Sequence, residues 1–274
     1  MSASAAEILE PPLGEITNHN LATELTWDYY ENILKVCVPF TLLYLFIVPA
    51  LSLRLFPVLK LHSQERRCSF VSDFVSMIPS ILSSFITVRS FIYFVPVNDR
   101  DQMFEGYKWV TIYMQAYLLL DTFYRLLYIE SNRAMMVIHH IVGLVITQFA
   151  MHDRGWLMEK LVFCLMEVAN PFINLRFLML GVDVPKTSNT YLSASLIMII
   201  SFFLFRILPI PYIYRGGIYK LILYPQYGSW AHFWMFTLYV LLSLMNIYWF
   251  YVMLLGLHKT FIRKSKPEEG THRD

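Results

Sequence analysis

Seven runs of about 20 mostly apolar residues follow one another along this 274-residue chain, and they constrain its fold more than any other feature. A helix needs about 20 such residues to cross the hydrocarbon core of a bilayer. Hydrophobic residues make up 57% of the chain and charged residues only 15%. The sequence therefore predicts an all-α, multi-pass transmembrane helix bundle of about seven spans. The candidate spans are residues 36–56, 70–95, 107–129, 135–151, 156–180, 191–214 and 232–257.

The residues between and around these runs divide the chain into four segments. Residues 1–35 form an acidic N-terminal arm without the basic start and short apolar core of a cleavable signal. Residues 36–69 hold the first span and a basic loop, residues 70–257 form the membrane domain, and residues 258–274 form a basic, polar tail. Lysine and arginine are more numerous on the side of that loop and the tail. This bias predicts a cytosolic C-terminus.

Several classes of protein are excluded by composition and motifs. The net charge of +2 leaves no strongly basic face for nucleic acid. The third run does not end in Asp-Arg-Tyr and the seventh lacks Asn-Pro-x-x-Tyr, which argues against a G-protein-coupled receptor. A di-iron desaturase needs separate clusters of histidine ligands, whereas only His139 and His140 lie together among the eight histidines.

Ionisable side chains inside the apolar runs indicate where a function lies. Each costs at least about 2.5–3.5 kcal/mol at the bilayer centre, so such residues face a bundle interior and often belong to a functional site. Asp121 is one of them, and Arg125 follows it by four residues. That spacing is equally consistent with an ion pair on one helix face and with a catalytic role for Asp121.

His139 and His140 stand next to each other in the fourth apolar run. Neighbouring side chains on a helix point about 100° apart, so the two imidazoles cannot easily share a metal ion, and no metal site is predicted. A neutral imidazole can act as a general base or a nucleophile near pH 7. A lone histidine is more often a satisfied core residue, but an adjacent pair favours a catalytic site.

Glu167, Asn170 and Asn174 follow at intervals of three and four residues, which places them on one helix face. Pro171 lies among them and cannot donate a backbone hydrogen bond, so a kink is predicted here. An irregular backbone at membrane depth is tolerated where it lines a cavity. The alternative is a set of interhelical hydrogen bonds, worth about 0.6 kcal/mol each on average.

Arg206, Asn246 and Trp249 are candidates for binding a substrate. Arg206 is the natural counter-ion for Glu167 or Asp121, or for an anionic lipid group. Asn246 and Trp249 share a face of the last run, where they would either contact a substrate or only pack two helices together.

These polar residues, in this order, resemble the TLC-domain family over residues 70–257, which makes that segment a TLC-like membrane domain. The blocks that carry the resemblance are Tyr117-Leu-Leu-Leu-Asp121, Ile138-His139-His140-Ile-Val, Glu167-Val-Ala-Asn170-Pro-Phe-Ile-Asn174-Leu-Arg176, Phe205-Arg206-Ile and Asn246-Ile-Tyr-Trp249. The third block is more similar to the branch without ceramide synthases than to ceramide synthases. The resemblance implies lipid metabolism or homeostasis, an endoplasmic reticulum location and acyl-CoA as a co-substrate. No bound cofactor is expected.

Three functions remain open on the sequence alone. An acyltransferase would use His139 or His140 as base or acyl carrier, oriented by Asp121 or Glu167 as in a catalytic triad. Its substrate would contact Asn170, Asn174, Arg206, Asn246 and Trp249. A non-catalytic protein would bind a lipid in the same cavity to sense or regulate membrane composition. An escort protein would act on other membrane proteins through its loops and tail. Membrane lipids, a second copy or other membrane proteins are the expected partners, and nucleic acid is not.

Overall fold

The computed structural model describes residues 27–129, 133–151, 157–223 and 230–265, and within these ranges the chain is helical with no β-strand. The helices are α1 (Trp27–Leu42), α2 (Val48–Leu55), α3 (Gln64–Arg89), α4 (Arg100–Tyr128), α5 (Arg133–Met151), α6 (Leu157–Cys164), α7 (Asn170–Gly181), α8 (Asn189–Phe202), α9 (Ile210–Leu223) and α10 (Trp230–Ser265). They pack into one bundle.

Five stretches of the described chain are long and apolar enough to cross a membrane. They are Trp27–Leu55, Gln64–Phe94, Leu157–Gly181, Asn189–Gly216 and Phe236–Lys259, and Ala134–Gln148 is a shorter apolar helix. The predicted all-α, multi-pass membrane bundle is confirmed.

The predicted third span lies in α4, which is long but not among the five most apolar stretches. Its position explains this composition, since α4 contacts α1, α3, α5 and α6. Side chains such as Tyr107, Gln115 and Asp121 are therefore buried against other helices. A helix surrounded by protein can carry polar side chains that a lipid-facing helix cannot.

Three helices widen into a π-helical turn just before a proline. The turns and their prolines are Leu43–Ile47 with Pro49, Ser90–Phe94 with Pro96, and Phe203–Ile207 with Pro209. Proline has no N–H to donate, and its ring clashes with the carbonyl four residues earlier. The wider turn relieves this clash and turns the neighbouring side chains to new directions. Arg206 lies in the third of these turns.

The interruption predicted at Pro171 is confirmed. Helix α6 ends at Cys164, a single 3-10 turn spans Leu165–Ala169, and α7 begins at Asn170. Pro171 falls in the first turn of α7, where a missing N–H leaves no helical hydrogen bond unmade.

The first and last helices extend beyond the predicted apolar runs. Helix α1 already begins at Trp27, within the predicted arm, and carries an ion pair between Glu31 and Lys35. Helix α10 continues to Ser265, within the predicted tail. Helices extend beyond the apolar run because their charged ends reach into water. The division of the chain into four segments stays a prediction. The rest of the predicted arm and tail lies outside the described residues.

A polar clamp joins the start of α3 and the residue His62 before it to the end of α7 and the loop after it. Arg66 donates hydrogen bonds to the carbonyl oxygen of Leu180, at 2.6 Å, and to the carboxylate of Asp183. The Nε2 atom of His62 lies 2.8 Å from an Asp183 oxygen. Asp183 has a φ of 61°, a left-handed conformation that aspartate tolerates better than most residues. The clamp thus holds α3 and α7 together at one end of the bundle.

The clamp predicts a pH-dependent contribution to stability. Hydrogen bonding from Arg66 lowers the pKa of Asp183 below its usual value of about 4. A lowered folded-state pKa means that this contribution is fully present above the unfolded pKa and is lost as pH falls through the folded one. Wild type should therefore exceed Asp183→Asn in thermal stability above about pH 5, and the difference should vanish under stronger acid.

Thermal unfolding in detergent between about pH 2.5 and pH 7 tests this expectation. The control is the Arg66→Ala/His62→Ala background, since Asp183 has lost both partners there and Asp183→Asn should have little further effect. A constant difference across the whole range would contradict the clamp.

Gly181, at the end of α7, allows close packing against α3. A Cβ atom at this position would lie 2.6 Å from Cδ2 of the buried Phe70 ring. An aromatic ring in a packed interior cannot move far, so an added methyl group overpacks this contact.

We expect Gly181→Ala to destabilise the protein by about 1–3 kcal/mol through this overlap. The matched control is Gly256→Ala in α10, where an added Cβ meets nothing within 4 Å. That control should be neutral or slightly stabilising, because alanine is the better helix former. The measurement is the thermal midpoint of each variant in one detergent, and equal midpoints would contradict the close contact.

Candidate functional site

Asp121 is completely buried at the centre of a polar cluster that we call the Asp121 cluster (Tyr44, Ser72, Asp121, Arg125 and His140). Its Oδ1 atom accepts hydrogen bonds from the hydroxyls of Tyr44, at 2.8 Å, and Ser72, at 2.6 Å. Its Oδ2 atom accepts a hydrogen bond from Nε of Arg125 at 2.6 Å. Arg125 also donates to Oγ of Ser72 at 2.7 Å. The predicted ion pair on one face of α4 is confirmed.

The Asp121 cluster joins several helical segments. Tyr44 comes from the π-helical turn after α1, Ser72 from α3, Asp121 and Arg125 from α4, and His140 from α5. Both carboxylate oxygens already accept strong hydrogen bonds. The geometry therefore gives Asp121 a positioning role in the bundle, while its predicted catalytic role remains untested.

His140 faces α4 with both ring nitrogens. Its Nδ1 atom is 3.3 Å from the hydroxyl of Thr122, and its Nε2 atom is 3.6 Å from Oδ2 of Asp121. A separation of 3.6 Å is too long for a direct hydrogen bond. The Tyr117 ring packs edge-on against the imidazole. His140 is thus enclosed by α4 and is only 1% exposed.

His139 points away from its neighbour, as predicted from the helical repeat. Its ring packs edge-on against Trp249 of α10, with centroids 5.0 Å apart, while the two imidazole centroids are 5.8 Å apart. Its Nδ1 atom is buried and has no hydrogen-bond partner within the described ranges. Of the two imidazoles, His139 is therefore the one with an unpaired ring nitrogen in the described part of the chain.

Arg206 is the centre of a second cluster, the Arg206 cluster (Met166, Glu167, Asn170, Arg206 and Asn246). Its guanidinium donates to the backbone oxygen of Met166 at 3.1 Å, to Oδ1 of Asn246 at 3.0 Å and to Oδ1 of Asn170. The guanidinium also lies over the Phe202 ring, whose centroid is 5.2 Å from the guanidinium carbon. The cluster joins the 3-10 turn, α7, the third π-helical turn and α10.

Glu167 is connected to Arg206 through an amide rather than directly. The Nδ2 atom of Asn170 donates to Oε2 of Glu167 at 2.7 Å, while its Oδ1 atom accepts from Arg206. No direct ion pair joins Arg206 to Glu167 or Asp121 in the described part of the chain, so Glu167 acts on Arg206 only across Asn170, and the role of Arg206 toward an anionic lipid group stays a prediction. An asparagine fits between the charges because its amide carries a donor and an acceptor.

Helix α10 links the two histidines to the Arg206 cluster. Asn246 binds Arg206, and Trp249, one turn further on, packs against His139. The indole N–H of Trp249 points to the sulfur of Met135 at 3.3 Å. Asn174 lies half-buried further along α7 and makes no hydrogen bond to Arg206 within the described ranges. The structure thus brings together all predicted site residues except Asn174.

Sequence reasoning missed three members of these networks, namely Tyr44, Ser72 and Thr122. Hydroxyls are common in membrane helices, so none of them gave a signal as strong as a buried charge. Only Thr122, directly after Asp121, could have been inferred from its neighbour. Among the described residues, no three His, Cys, Asp or Glu side chains lie close enough together to hold a metal ion.

Comparison with known proteins gives one match. A family model described as the TLC domain matches residues 68–255, about two thirds of the chain. The match includes both clusters except Tyr44, and it agrees with the segment 70–257 predicted from the ordered polar blocks. No curated protein matches the chain. The branch of the family remains a prediction.

Because Asp121 is buried, we expect its replacement by asparagine to lower the stability of the protein strongly. Asp121→Asn leaves the guanidinium of Arg125, which is only 12% exposed, without its carboxylate partner. Breaking a buried pair by removing one partner typically destabilises a protein by about 3–5 kcal/mol. We expect a strongly lowered thermal midpoint and a reduced yield of monodisperse protein.

The control is Glu31→Gln, which breaks a pair with the same four-residue spacing and a similar distance, 2.7 Å, on the exposed surface of α1. Exposed pairs contribute about 0–1 kcal/mol. Similar midpoints for Asp121→Asn and Glu31→Gln would contradict the central role of Asp121.

Proposed function

The chain belongs to the TLC-domain family, and from this premise we propose that its buried polar site transfers an acyl group to a lipid acceptor. As a multi-pass protein of this family it is an integral membrane protein tied to lipid biology. Acyl transfer goes beyond that statement and rests on the geometry around His139.

The observation that carries the proposal is that the buried Nδ1 atom of His139 has no hydrogen-bond partner in the described chain. A buried imidazole nitrogen without a partner in the described chain is costly unless a ligand completes it. Trp249 fixes the orientation of the ring, and Asn246 holds the Arg206 cluster on the same helix. A lipid acceptor between α5 and α10 would contact His139 as a base and the Arg206 cluster as a polar binding group.

In the proposed reaction His139 acts as general base. It takes the proton from a hydroxyl or amine of the acceptor, whose oxygen or nitrogen attacks the carbonyl carbon of the acyl thioester. The carbon–sulfur bond then breaks, and the proton passes from His139 to the departing thiolate. The thioester would be acyl-CoA, which follows from the family resemblance alone. A neutral imidazole suits both steps because its ring nitrogen can accept the proton and then return it.

The other site residues position this base and the substrate. His140, enclosed by Thr122 and Asp121, holds α5 against α4 and thereby fixes His139 beside it. The three direct acceptors of Arg206 among the described residues are neutral groups, and Glu167 balances its charge from further away through Asn170. An anionic part of a substrate would be attracted to this guanidinium.

A second candidate is non-catalytic lipid binding by the same site. The observation in its favour is the 3.6 Å gap between Asp121 and His140, together with the full occupation of the carboxylate by donors. This arrangement does not form the hydrogen-bonded third member of a triad. The escort function and the endoplasmic reticulum location are supported by the sequence alone and remain predictions.

The test is release of free coenzyme A from long-chain acyl-CoA by purified protein in lipid nanodiscs, with a panel of lysolipids and long-chain bases as acceptors. We expect release by wild type and a loss of about 100-fold or more in His139→Ala, as for removal of a general base. His258→Ala, on the exposed end of α10, is the matched histidine control and should keep full activity.

Equal rates in wild type and His139→Ala would exclude His139 as the base. Absence of release from every protein, with lipid binding that is lost in His139→Ala, would replace acyl transfer by the non-catalytic function. His140→Ala separates the two histidines further, since a positioning role predicts a loss of thermal stability along with activity.

A further inference from the structure

A pocket of about 330 Å³ opens between α3 and α7, beside the clamp and outside the Arg206 cluster. Ligand sites in proteins usually measure about 300–1,000 Å³, so this pocket has room for one small group such as a lipid headgroup. Its polar wall includes Arg66, Ser69, Asp73 and Lys186, while Phe70 and Phe177 belong to its apolar wall.

One face of α3 forms the polar wall. Arg66, Ser69, Phe70 and Asp73 follow at the i, i+3, i+4 and i+7 positions, which stand above one another on a helix. Seven residues of helix extend about 10 Å. The wall therefore runs from the guanidinium of Arg66, at the end of the bundle, to the carboxyl group of Asp73, about two helical turns deeper.

The charges along this wall are unequal. Arg66 is largely compensated by Asp183, whereas Lys186 is exposed and forms no ion pair within the described ranges. Asp73 lies 3.9 Å from a guanidinium nitrogen of Arg125, so the deep end of the pocket borders the Asp121 cluster. The rim thus has an uncompensated ammonium group, and the deep end has a carboxyl group beside Arg125.

We propose that this pocket binds a phosphate ester, with the phosphate on Lys186 and Arg66 at the rim. The carboxyl group of Asp73, at the deep end, accepts a hydrogen bond from a hydroxyl or amine of the same headgroup. Phe70 and Phe177 contact the adjoining aliphatic part. The proposal rests on the lipid-handling function proposed above and names the chemical class of its ligand.

A phosphate ester can reach the pocket from a lipid or from a water-soluble molecule such as coenzyme A. The apolar wall favours the lipid, because the exposed Phe177 ring offers apolar surface to an acyl chain. Three probes separate these sources: lysophosphatidic acid has phosphate and chain, monoacylglycerol has the chain alone, and coenzyme A has phosphates without a chain.

Binding of each probe to the full chain in phosphate-free maltoside detergent is measured by native mass spectrometry. We expect lysophosphatidic acid to bind more tightly than monoacylglycerol, and Lys186→Ala to weaken it about tenfold, as for loss of a hydrogen bond to a charged group. Lys60→Ala is the matched control, since Lys60 is also an exposed loop lysine but does not line the pocket. It should leave the affinity unchanged.

Binding of coenzyme A that depends on Lys186 would assign the pocket to a water-soluble phosphate ester. The proposal would be overturned if lysophosphatidic acid bound Lys186→Ala as tightly as wild type. It would also be overturned if Lys186→Ala and Lys60→Ala had the same affinity. Failure of acyl transfer is distinguishable, because it is read from turnover and His139, whereas the pocket is read from binding and Lys186. His139→Ala should retain the binding that depends on Lys186.

Discussion

The ion pair between Asp121 and Arg125 is the interaction on which the rest of the structure depends. Inside a bundle without water, neither charge is tolerable alone, and each attracts the polar groups of neighbouring helices. Tyr44 and Ser72 donate to the carboxylate from two other parts of the bundle, and His140 closes the cluster from α5. One satisfied charge pair thereby fixes the positions of three other parts of the chain relative to α4.

The second half of the bundle uses the same principle with amides in place of a direct ion pair. Arg206 comes from a π-helical turn caused by a nearby proline, and Asn170 from the first turn of a helix that begins at a proline. Both irregularities point polar side chains into the interior. Because α10 contributes Asn246 to this cluster and Trp249 to His139, the two halves meet at one histidine. The acyl transfer that we propose would take place at that meeting point.

The sequence predicted which residues belong to the candidate site better than it predicted which of them contact one another. Asp121, His139, His140, Glu167 and Arg206 stand out because charged or ionisable groups are rare in apolar segments. Which of them touch was not predictable, since an arginine with two buried carboxylates can pair with either. The structure places Asn170 between Arg206 and Glu167, and it gives Tyr44, a residue without any sequence signal, a direct bond to Asp121.

The sequence by itself determined the helical class, the order of the membrane segments, the break at Pro171 and the family, because these follow from apolar length, proline chemistry and an ordered set of polar blocks. Helix ends such as Trp27 and Ser265 were not determined, since a helix continues beyond its apolar run. Only the tertiary structure decided that His140 is enclosed, while the Nδ1 atom of His139 has no hydrogen-bond partner in the described chain. Adjacent residues on a helix diverge by about 100°, and the neighbouring helices alone determine what each of them meets.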